Sequence, residues 1–229
     1  MDIHGLQKLT LLDYPGKVAC TVFLGGCDFR CPYCHNWELV DGSYPPTMSG
    51  QEFFSFLKKR QGLLDGVCVT GGEPLLRNEL PEFLREIRNL GYLIKLDTNG
   101  SHPERLRQLL EAGLVDYVAM DIKNSPQRYG ETIGRPDFDI TPIRESVQIL
   151  MEGSVDYEFR TTAVDQFHDE EDFHAIARWL GGAKRYFLQP FTDRDTVPVA
   201  GLSAPAPKTL DRYAAILRDA VPDTTIRGI

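Results

Sequence analysis

The chain has 229 residues, of which 42% are hydrophobic and 25% are charged, and its formal net charge is −8. This composition is ordinary for a globular protein and supplies enough apolar side chains for one sizeable core. The negative charge disfavours a nucleic-acid surface, which needs clustered lysine and arginine, and no apolar run approaches the roughly 20 residues that span a bilayer. We therefore expect a protein that binds neither nucleic acid nor membrane.

The first residues show no secretory leader, because Met1 to His4 form neither a basic nor an apolar region. The five cysteines are an odd number for a disulfide framework and are spread thinly along the chain. We therefore expect a cytoplasmic protein, in a reducing compartment where thiols serve metals or catalysis.

Apolar runs alternate with amphipathic stretches along the chain. Runs typical of buried strands fall at 18–24, 67–70, 92–96, 115–122, 155–164 and 185–189, and a short strand is expected at 224–229. Helical patterns separate them, with first residues near Ser49, Asn78, Ser101, Thr141, Asp169 and Lys208. Ser49 and Ser101 each precede a glutamate by three residues, which predicts capping boxes, and Gly91 and Gly113 are predicted helix ends.

This alternation predicts the fold, because strands separated by helices of ten or more residues pair in parallel through right-handed crossovers. Six such units are fewer than the eight of a closed barrel. We predict an α/β fold, an open, partial (β/α)6 barrel whose parallel sheet is flanked by outer helices. One domain over 1–229 is expected, with an N-terminal extension at 1–17, a βα core at 18–190, and a C-terminal loop and helix at 191–229.

Three cysteines follow the first core strand. Cys27, Cys31 and Cys34 have CxxxCxxC spacing, and such short spacing lets the sulfurs turn toward one metal centre. Iron-sulfur cubanes usually take four thiolates, so a cubane held by three would keep one iron open, as catalytic metal sites do. Zinc, with His35 or Cys20 as the fourth ligand, is the alternative.

The two remaining cysteines have a simpler interpretation. Cys20 and Cys68 fall within apolar strand runs, so we predict that both are buried core thiols. Two leftover thiols cannot supply the four ligands of a second iron-sulfur cluster. One cluster at most is therefore expected.

Further glycine-rich or polar groups follow the next three predicted strands. They are Gly71-Gly72-Glu73-Pro74, Asp97-Thr98-Asn99-Gly100 and Asp121-Ile122-Lys123. Each taken alone could be an ordinary turn, a capping aspartate or a solvated lysine. Ligands of open parallel sheets bind at the carboxyl ends of the strands, however, and all three groups fall there together with the cysteine loop.

The cysteine loop, with Tyr33 just before its last cysteine, resembles the signature of the radical S-adenosyl-L-methionine (SAM) enzymes. The three later groups are similar to that superfamily's later motifs and occur in the expected order. More narrowly, residues 8–17 leading into residues 23–27 resemble the longer form of the anaerobic ribonucleoside-triphosphate reductase activating proteins. The likeness covers nearly the whole chain and also implies a partial barrel of the radical SAM type.

The resemblance implies an oxidoreductase that reductively cleaves SAM at one 4Fe-4S cluster held by Cys27, Cys31 and Cys34. The reaction would abstract a glycine hydrogen and install a glycyl radical on the anaerobic ribonucleoside-triphosphate reductase, the protein substrate. An external one-electron donor such as flavodoxin or ferredoxin would reduce the cluster. The alternatives are a radical SAM enzyme that acts on another glycyl-radical enzyme or a small molecule, and a zinc-binding adaptor.

The resemblance also implies which residues bind the cofactors. Tyr33 would lie against the adenine, Gly71, Gly72 and Glu73 would meet the methionine amino group, and Lys123 would meet the methionine carboxylate. Asp97 and Asp121 would bind the amino group, the ribose or a monovalent cation. The full set expected to bind SAM is Tyr33, Gly71, Gly72, Glu73, Asp97, Asn99, Asp121, Lys123 and Arg160.

One departure from related families concerns the subtype. Thr192 follows Gln189-Pro190-Phe191, where pyruvate formate-lyase type activases carry a histidine, and this disfavours that subtype. Two segments are candidates for contact with the partner: the first seventeen residues and the irregular stretch at 124–139, which is longer than most connections.

Overall fold

The computed structural model describes residues 1–228, so Ile229, the last residue of the predicted final strand and domain, lies outside the described residues. The strands are β1 (Asp2–Ile3), β2 (Gly5–Thr10), β3 (Ala19–Leu24), β4 (Met48–Ser49), β5 (Gly66–Gly71), β6 (Leu93–Thr98), β7 (Tyr117–Asp121), β8 (Asp156–Ala163), β9 (Tyr186–Pro190) and β10 (Thr224–Ile226). The helices are α1 (Trp37–Asp41), α2 (Gly50–Lys58), α3 (Leu80–Asn89), α4 (Pro103–Glu111), α5 (Tyr129–Thr132), α6 (Thr141–Glu152), α7 (Glu170–Trp179) and α8 (Pro207–Arg218), with a 3-10 turn at Pro74–Leu76.

The described chain divides into two compact units. The first comprises Met1–Asp28, Glu38–Thr98 and His102–Ala119, and the second comprises Phe29–Trp37, Asn99–Ser101 and the chain from Met120 onward. Strand β7 contributes residues to both. The expectation of one domain over 1–229 concerns independent folding and stays a prediction.

The sheet of the first unit has the strand order β2-β3-β5-β6-β7. β3, β5 and β6 pair in parallel, and their register places Cys20 opposite Val67 and Cys68 opposite Lys95. β2 pairs antiparallel with β3 at the edge, and β1 pairs with β4 in a separate two-stranded ribbon. β2 is absent from the strand prediction because three of its six residues are exposed, so it carries no apolar run.

The sheet of the second unit continues from β7 through β8 and β9 to β10. β8, β9 and β10 are parallel, with Tyr186 opposite both Phe159 and Thr224. All six predicted core strands are therefore present, and the predicted α/β class with a parallel sheet is confirmed. Among residues 1–228, no helix combines the length and the apolarity that a membrane crossing requires.

Helix ends follow local chemistry, with two corrections. Ser49 forms the predicted capping box with Glu52, and Gly91 and Gly113 have the positive φ angles of helix-ending glycines, 89° and 62°. The prediction that Ser101 caps α4 is wrong, because Pro103 occupies the first helical position and the N-cap is therefore His102, one residue later. Ser101 instead donates its backbone N–H to the Asn99 side-chain oxygen at 2.9 Å.

The second correction concerns α3. Asn78 does not begin this helix, because Glu79 occupies the N-cap position and Leu80 is the first helical residue. The residues preceding Asn78 form the 3-10 turn Pro74–Leu76, whose hydrogen bonds keep the chain out of the α-helix.

The two serines make a matched test of capping. We expect Ser49→Ala to lower the free energy of unfolding by about 1 kcal/mol, because it removes a bond to the Glu52 backbone N–H. We expect Ser101→Ala to cause no loss, since the Ser101 hydroxyl is buried with no hydrogen-bond partner among residues 1–228. Urea unfolding of both variants measures the difference, and equal losses would contradict this account.

Candidate active site

The double glycine Gly71-Gly72 at the end of β5 packs directly on the backbone that leads to Cys27. A Cβ atom at Gly71 would lie 2.3 Å from the Leu24 carbonyl oxygen, and one at Gly72 would lie 2.0 Å from the Gly26 carbonyl oxygen. The Gly72 N–H donates to Leu24 and the Glu73 N–H donates to Gly26, both at 2.8 Å. The protein's own packing therefore requires glycine at both positions.

The Glu73 side chain is fully buried and is engaged within the first unit. Its Oε1 accepts hydrogen bonds from the Leu75 N–H at 3.0 Å and from the Thr98 hydroxyl at 2.9 Å. The carboxylate thus caps the 3-10 turn and ties it to the end of β6.

Asp97, at the end of β6, forms an ion pair with Lys95 on the same face of the strand. The Lys95 side chain is only 2% exposed. Lys95 belongs to none of the sequence motifs, although a lysine within the apolar run Leu93–Leu96 is the signal that could have revealed it. Burial of an unpaired ammonium is costly, so Lys95 and Asp97 depend on each other.

In the second unit, Cys31 and Cys34 lie in one turn of the loop, where the Cys34 N–H donates to the Cys31 carbonyl at 3.2 Å. Burial raises the pKa of Cys31 to about 12 and also raises the pKa of Cys34. Both are therefore neutral thiols here, and metal binding must displace their protons. None of the five cysteines is in a disulfide.

Asp121, at the end of β7, pairs with two cationic side chains. Its Oδ2 accepts from Lys123 Nζ at 2.9 Å and its Oδ1 accepts from Arg160 Nε on β8 at 2.5 Å. Burial acts to raise the pKa of Asp121, but the Arg160 and Lys123 charges outweigh it and hold this pKa well below its usual range. These three side chains carry one net positive charge, which favours an anionic group such as a carboxylate.

Tyr33 carries a polar atom that suits a ligand. The side chain is 4% exposed, and its hydroxyl has no hydrogen-bond partner among residues 1–228. Its ring lies 5.8 Å from that of Phe167. A buried hydroxyl without a partner is unfavourable, so a bound ligand with a polar atom there would be stabilised.

The segment at 124–139 supports the cysteine loop. The Arg30 N–H donates to the Ile133 carbonyl at 2.9 Å, and Phe29 packs edge-on against Phe138 at 5.3 Å. Gly134 has a φ of +68°, and a Cβ atom there would lie 2.4 Å from the Arg30 carbonyl oxygen. This segment therefore holds the backbone between Cys27 and Cys31.

His35 joins the same loop to the chain after β9. Its ring stacks on Phe191 at 5.4 Å, and its Nε2 lies 2.6 Å from the Thr192 carbonyl oxygen. Thr196 in turn donates its hydroxyl hydrogen to the His35 carbonyl at 2.8 Å. The zinc alternative would use His35 or Cys20 as a fourth ligand, whereas His35 Nε2 is engaged here and Cys20 is fully buried within β3.

The predicted site residues are distributed over both units. The first unit holds Cys27, Gly71, Gly72, Glu73 and Asp97, and the second holds Cys31, Tyr33, Cys34, Asn99, Asp121, Lys123 and Arg160. Asn99 is buried, and its side-chain oxygen accepts the hydrogen bond from the Ser101 N–H.

Over residues 1–228, no three His, Cys, Asp or Glu side chains form a ready-made metal site. The three thiols of the loop nevertheless provide the ligand type that iron-sulfur clusters take.

Two glycines test whether Gly134 positions the cysteine loop. Gly134→Ala and Gly182→Ala both place alanine at a positive φ, at a similar cost of about 1 kcal/mol, but only at Gly134 does the new Cβ meet another atom. We expect Gly134→Ala to lower iron and sulfide per chain after anaerobic reconstitution at least twofold, and Gly182→Ala to load like the wild type. Equal loading of both variants would contradict a positioning role.

Comparisons with known sequences agree with the motifs. The radical SAM superfamily model matches residues 21–180. A putative glycyl-radical enzyme activating enzyme of Methanocaldococcus jannaschii is 31% identical over 233 residues, which cover 99% of this chain and 96% of that protein. The pyruvate formate-lyase-activating enzyme of Clostridium pasteurianum is 33% identical, but the match covers only 53% of this chain and 52% of that enzyme.

Solved structures show the same fold. SuiB of Streptococcus suis superposes with a TM-score of 0.67 at 13% identity, covering 91% of this chain and 48% of SuiB. The protein anSMEcpe, solved with bound AdoMet, gives a TM-score of 0.60 at 15% identity, covering 86% of this chain and 57% of that chain. This chain thus spans about half the length of these two proteins, and at such identities the likeness concerns the fold alone.

The partial barrel predicted from the strand count is therefore confirmed. The family match extends over more than half of the chain, and the archaeal relative matches nearly all of it. The chain accordingly belongs to the radical SAM superfamily, which implies a 4Fe-4S cluster and SAM as cofactors, and within it to the glycyl-radical enzyme activating enzymes.

Proposed function

We propose that this enzyme installs a glycyl radical on the anaerobic ribonucleoside-triphosphate reductase. The observation that carries the proposal is the match, over nearly the full length of both chains, to a protein named as a glycyl-radical enzyme activating enzyme. The choice of reductase rests on the resemblance of residues 8–17 and 23–27 to that activating family, and on Thr192 where the pyruvate formate-lyase type has histidine. We place the reaction in the cytoplasm, since all five thiols are outside disulfides.

Cys27, Cys31 and Cys34 would hold the cluster, because they are the three thiols of one loop. The other two thiols are poor candidates: Cys20 and Cys68 are fully buried within β3 and β5, and burial raises the pKa of each to about 12. A cluster held by these thiols, once reduced by an external one-electron donor such as flavodoxin or ferredoxin, would supply the electron for cleaving SAM into methionine and a 5′-deoxyadenosyl radical.

The chain's own residues would bind and orient SAM. Lys123 is the cation for the methionine carboxylate, and Asp121 keeps that ammonium in place through its 2.9 Å bond. Arg160 donates to the other oxygen of Asp121 and adds a second positive charge beside this carboxylate. The partnerless Tyr33 hydroxyl offers a buried polar contact to the adenosyl group. The backbone of Gly71, Gly72 and Glu73 would meet the amino group.

The partner enzyme would contact the first seventeen residues and the outer side of 124–139. The first of these segments carries Leu9, Leu11 and Leu12, which are 59%, 68% and 87% exposed. Exposed clusters of this kind are typical of interaction surfaces. Deletion of 124–139 is not a clean test, because that segment also supports Arg30. Reduced hydrogen exchange at both segments in the complex is the expected sign of contact.

The activation assay tests the whole proposal. With SAM, a reductant and the reductase, we expect 5′-deoxyadenosine, methionine and the doublet EPR signal of a glycyl radical on the reductase. Product without any radical on the reductase would point to another glycyl-radical enzyme or a small-molecule substrate. Colourless, zinc-bearing protein after anaerobic purification would instead support an adaptor.

Cysteine variants test the cluster ligands. We expect alanine at Cys27, Cys31 or Cys34 to abolish the cluster absorbance and SAM cleavage, because each variant removes a thiolate ligand. Alanine at Cys20 or Cys68 changes a buried strand residue only, and we expect full iron loading at somewhat lower stability. Cluster loss in Cys20→Ala with retention in Cys34→Ala would overturn the ligand assignment.

A further inference from the structure

Two aspartates, Asp97 and Asp121, are the residues that the family resemblance offers to a monovalent cation. Each is already compensated by cationic side chains of its own unit. Asp97 is ion-paired with Lys95, and Asp121 is paired with both Lys123 and Arg160. A bound K⁺ or Na⁺ would therefore bring an additional positive charge to a carboxylate that has a cationic partner.

The ion pair between Lys95 and Asp97 is buried in the first unit. Lys95 lies opposite Cys68 in the register of β5 and β6, and its side chain is 2% exposed while that of Asp97 is 12% exposed. An ammonium at that depth is stable only beside an opposite charge, and the carboxylate benefits equally. The Lys95 ammonium is therefore too deeply buried to pair with water instead, and it contacts one oxygen of the Asp97 carboxylate.

The second aspartate, Asp121, is even less suited to binding a metal cation, because its charge is compensated twice. Asp121 accepts from two cationic side chains through its two oxygens, and their charges hold its pKa well below the usual range. A hard cation needs several oxygen ligands at once. Both oxygens of Asp121 already accept hydrogen bonds from cationic side chains, so a metal cation at this carboxylate would have to compete with an ammonium or a guanidinium.

We infer that this enzyme requires no monovalent cation, because the Lys95 ammonium takes over that role at Asp97. Lys95 is a positioning residue: it fixes the carboxylate that would receive the methionine amino group and neutralises its charge. The inference rests on the proposed function in one respect only, namely that SAM is the ligand of this site.

The first test needs no variant. SAM affinity is measured by isothermal titration calorimetry on anaerobically reconstituted protein, in KCl, NaCl and choline chloride at equal ionic strength. We expect dissociation constants that agree within twofold. An affinity at least fivefold weaker in choline than in KCl would overturn the inference and leave the proposed function intact. Absence of SAM binding in all three salts would overturn both.

Removal of the ammonium should create a cation requirement. We expect Lys95→Met to bind SAM at least tenfold more weakly in choline and to recover some of that loss in KCl. Lys59→Met, which removes an exposed lysine of the same unit, should match the wild type in every salt. If Lys95→Met also behaves like the wild type, Lys95 has no positioning role and the inference fails.

Lys95→Met leaves a buried carboxylate without its partner and can fail to fold. The double variant Lys95→Met with Asp97→Asn removes both charges and avoids that cost. We expect it to bind SAM more weakly than the wild type, equally in all three salts. Recovery of its SAM affinity by KCl would place a cation elsewhere in the protein and overturn the inference.

Discussion

A backbone contact that only glycine permits underlies the candidate active site. Gly71 and Gly72 lie so close to residues 24–26 that any side chain would overlap the carbonyl oxygens of Leu24 and Gly26. Two amide hydrogen bonds cross the same contact. Since residues 24–26 lead straight into Cys27, the double glycine determines where the cysteine loop leaves its strand. The next residue, Glu73, accepts a hydrogen bond from Thr98 and so connects the double glycine to the end of β6.

The second constraint is electrostatic. Buried charges in both units are paired at short range: Lys95 with Asp97, Asp121 with Lys123 and Arg160, and Glu158 with Arg227. Charges removed from water are costly unless compensated, so these pairs restrict where each ionised group can point. SAM is itself charged at its amino, carboxylate and sulfonium groups. It would have to fit into an existing arrangement of charges, which favours a preorganised site over one assembled by the ligand.

Support for the cysteine loop comes from segments of the chain that are distant in sequence. Ile133 and Gly134 hold the backbone of Arg30, and Phe191 packs on His35 directly after the last cysteine. A loop with three thiols has little apolar surface of its own, so its conformation depends on such neighbours. The long segment at 124–139 thus has a structural role in supporting the cysteine loop.

The sequence by itself determined the six core strands, the parallel α/β class and the motif-bearing strand ends, because apolar runs and their spacing report burial directly. It failed at Ser101, where the following proline overrode a capping pattern, and at β2, where an exposed edge strand has no apolar run. Only the tertiary structure decided the partners: that Lys95 pairs with Asp97, that Gly134 abuts Arg30, and that Asp121 is shared by two cations. Gly134 and Arg30, like Asp121 and Arg160, are far apart in sequence, so these contacts exist only once the chain has folded. Lys95 and Asp97 are two residues apart on one strand face, but only the folded sheet buries them together.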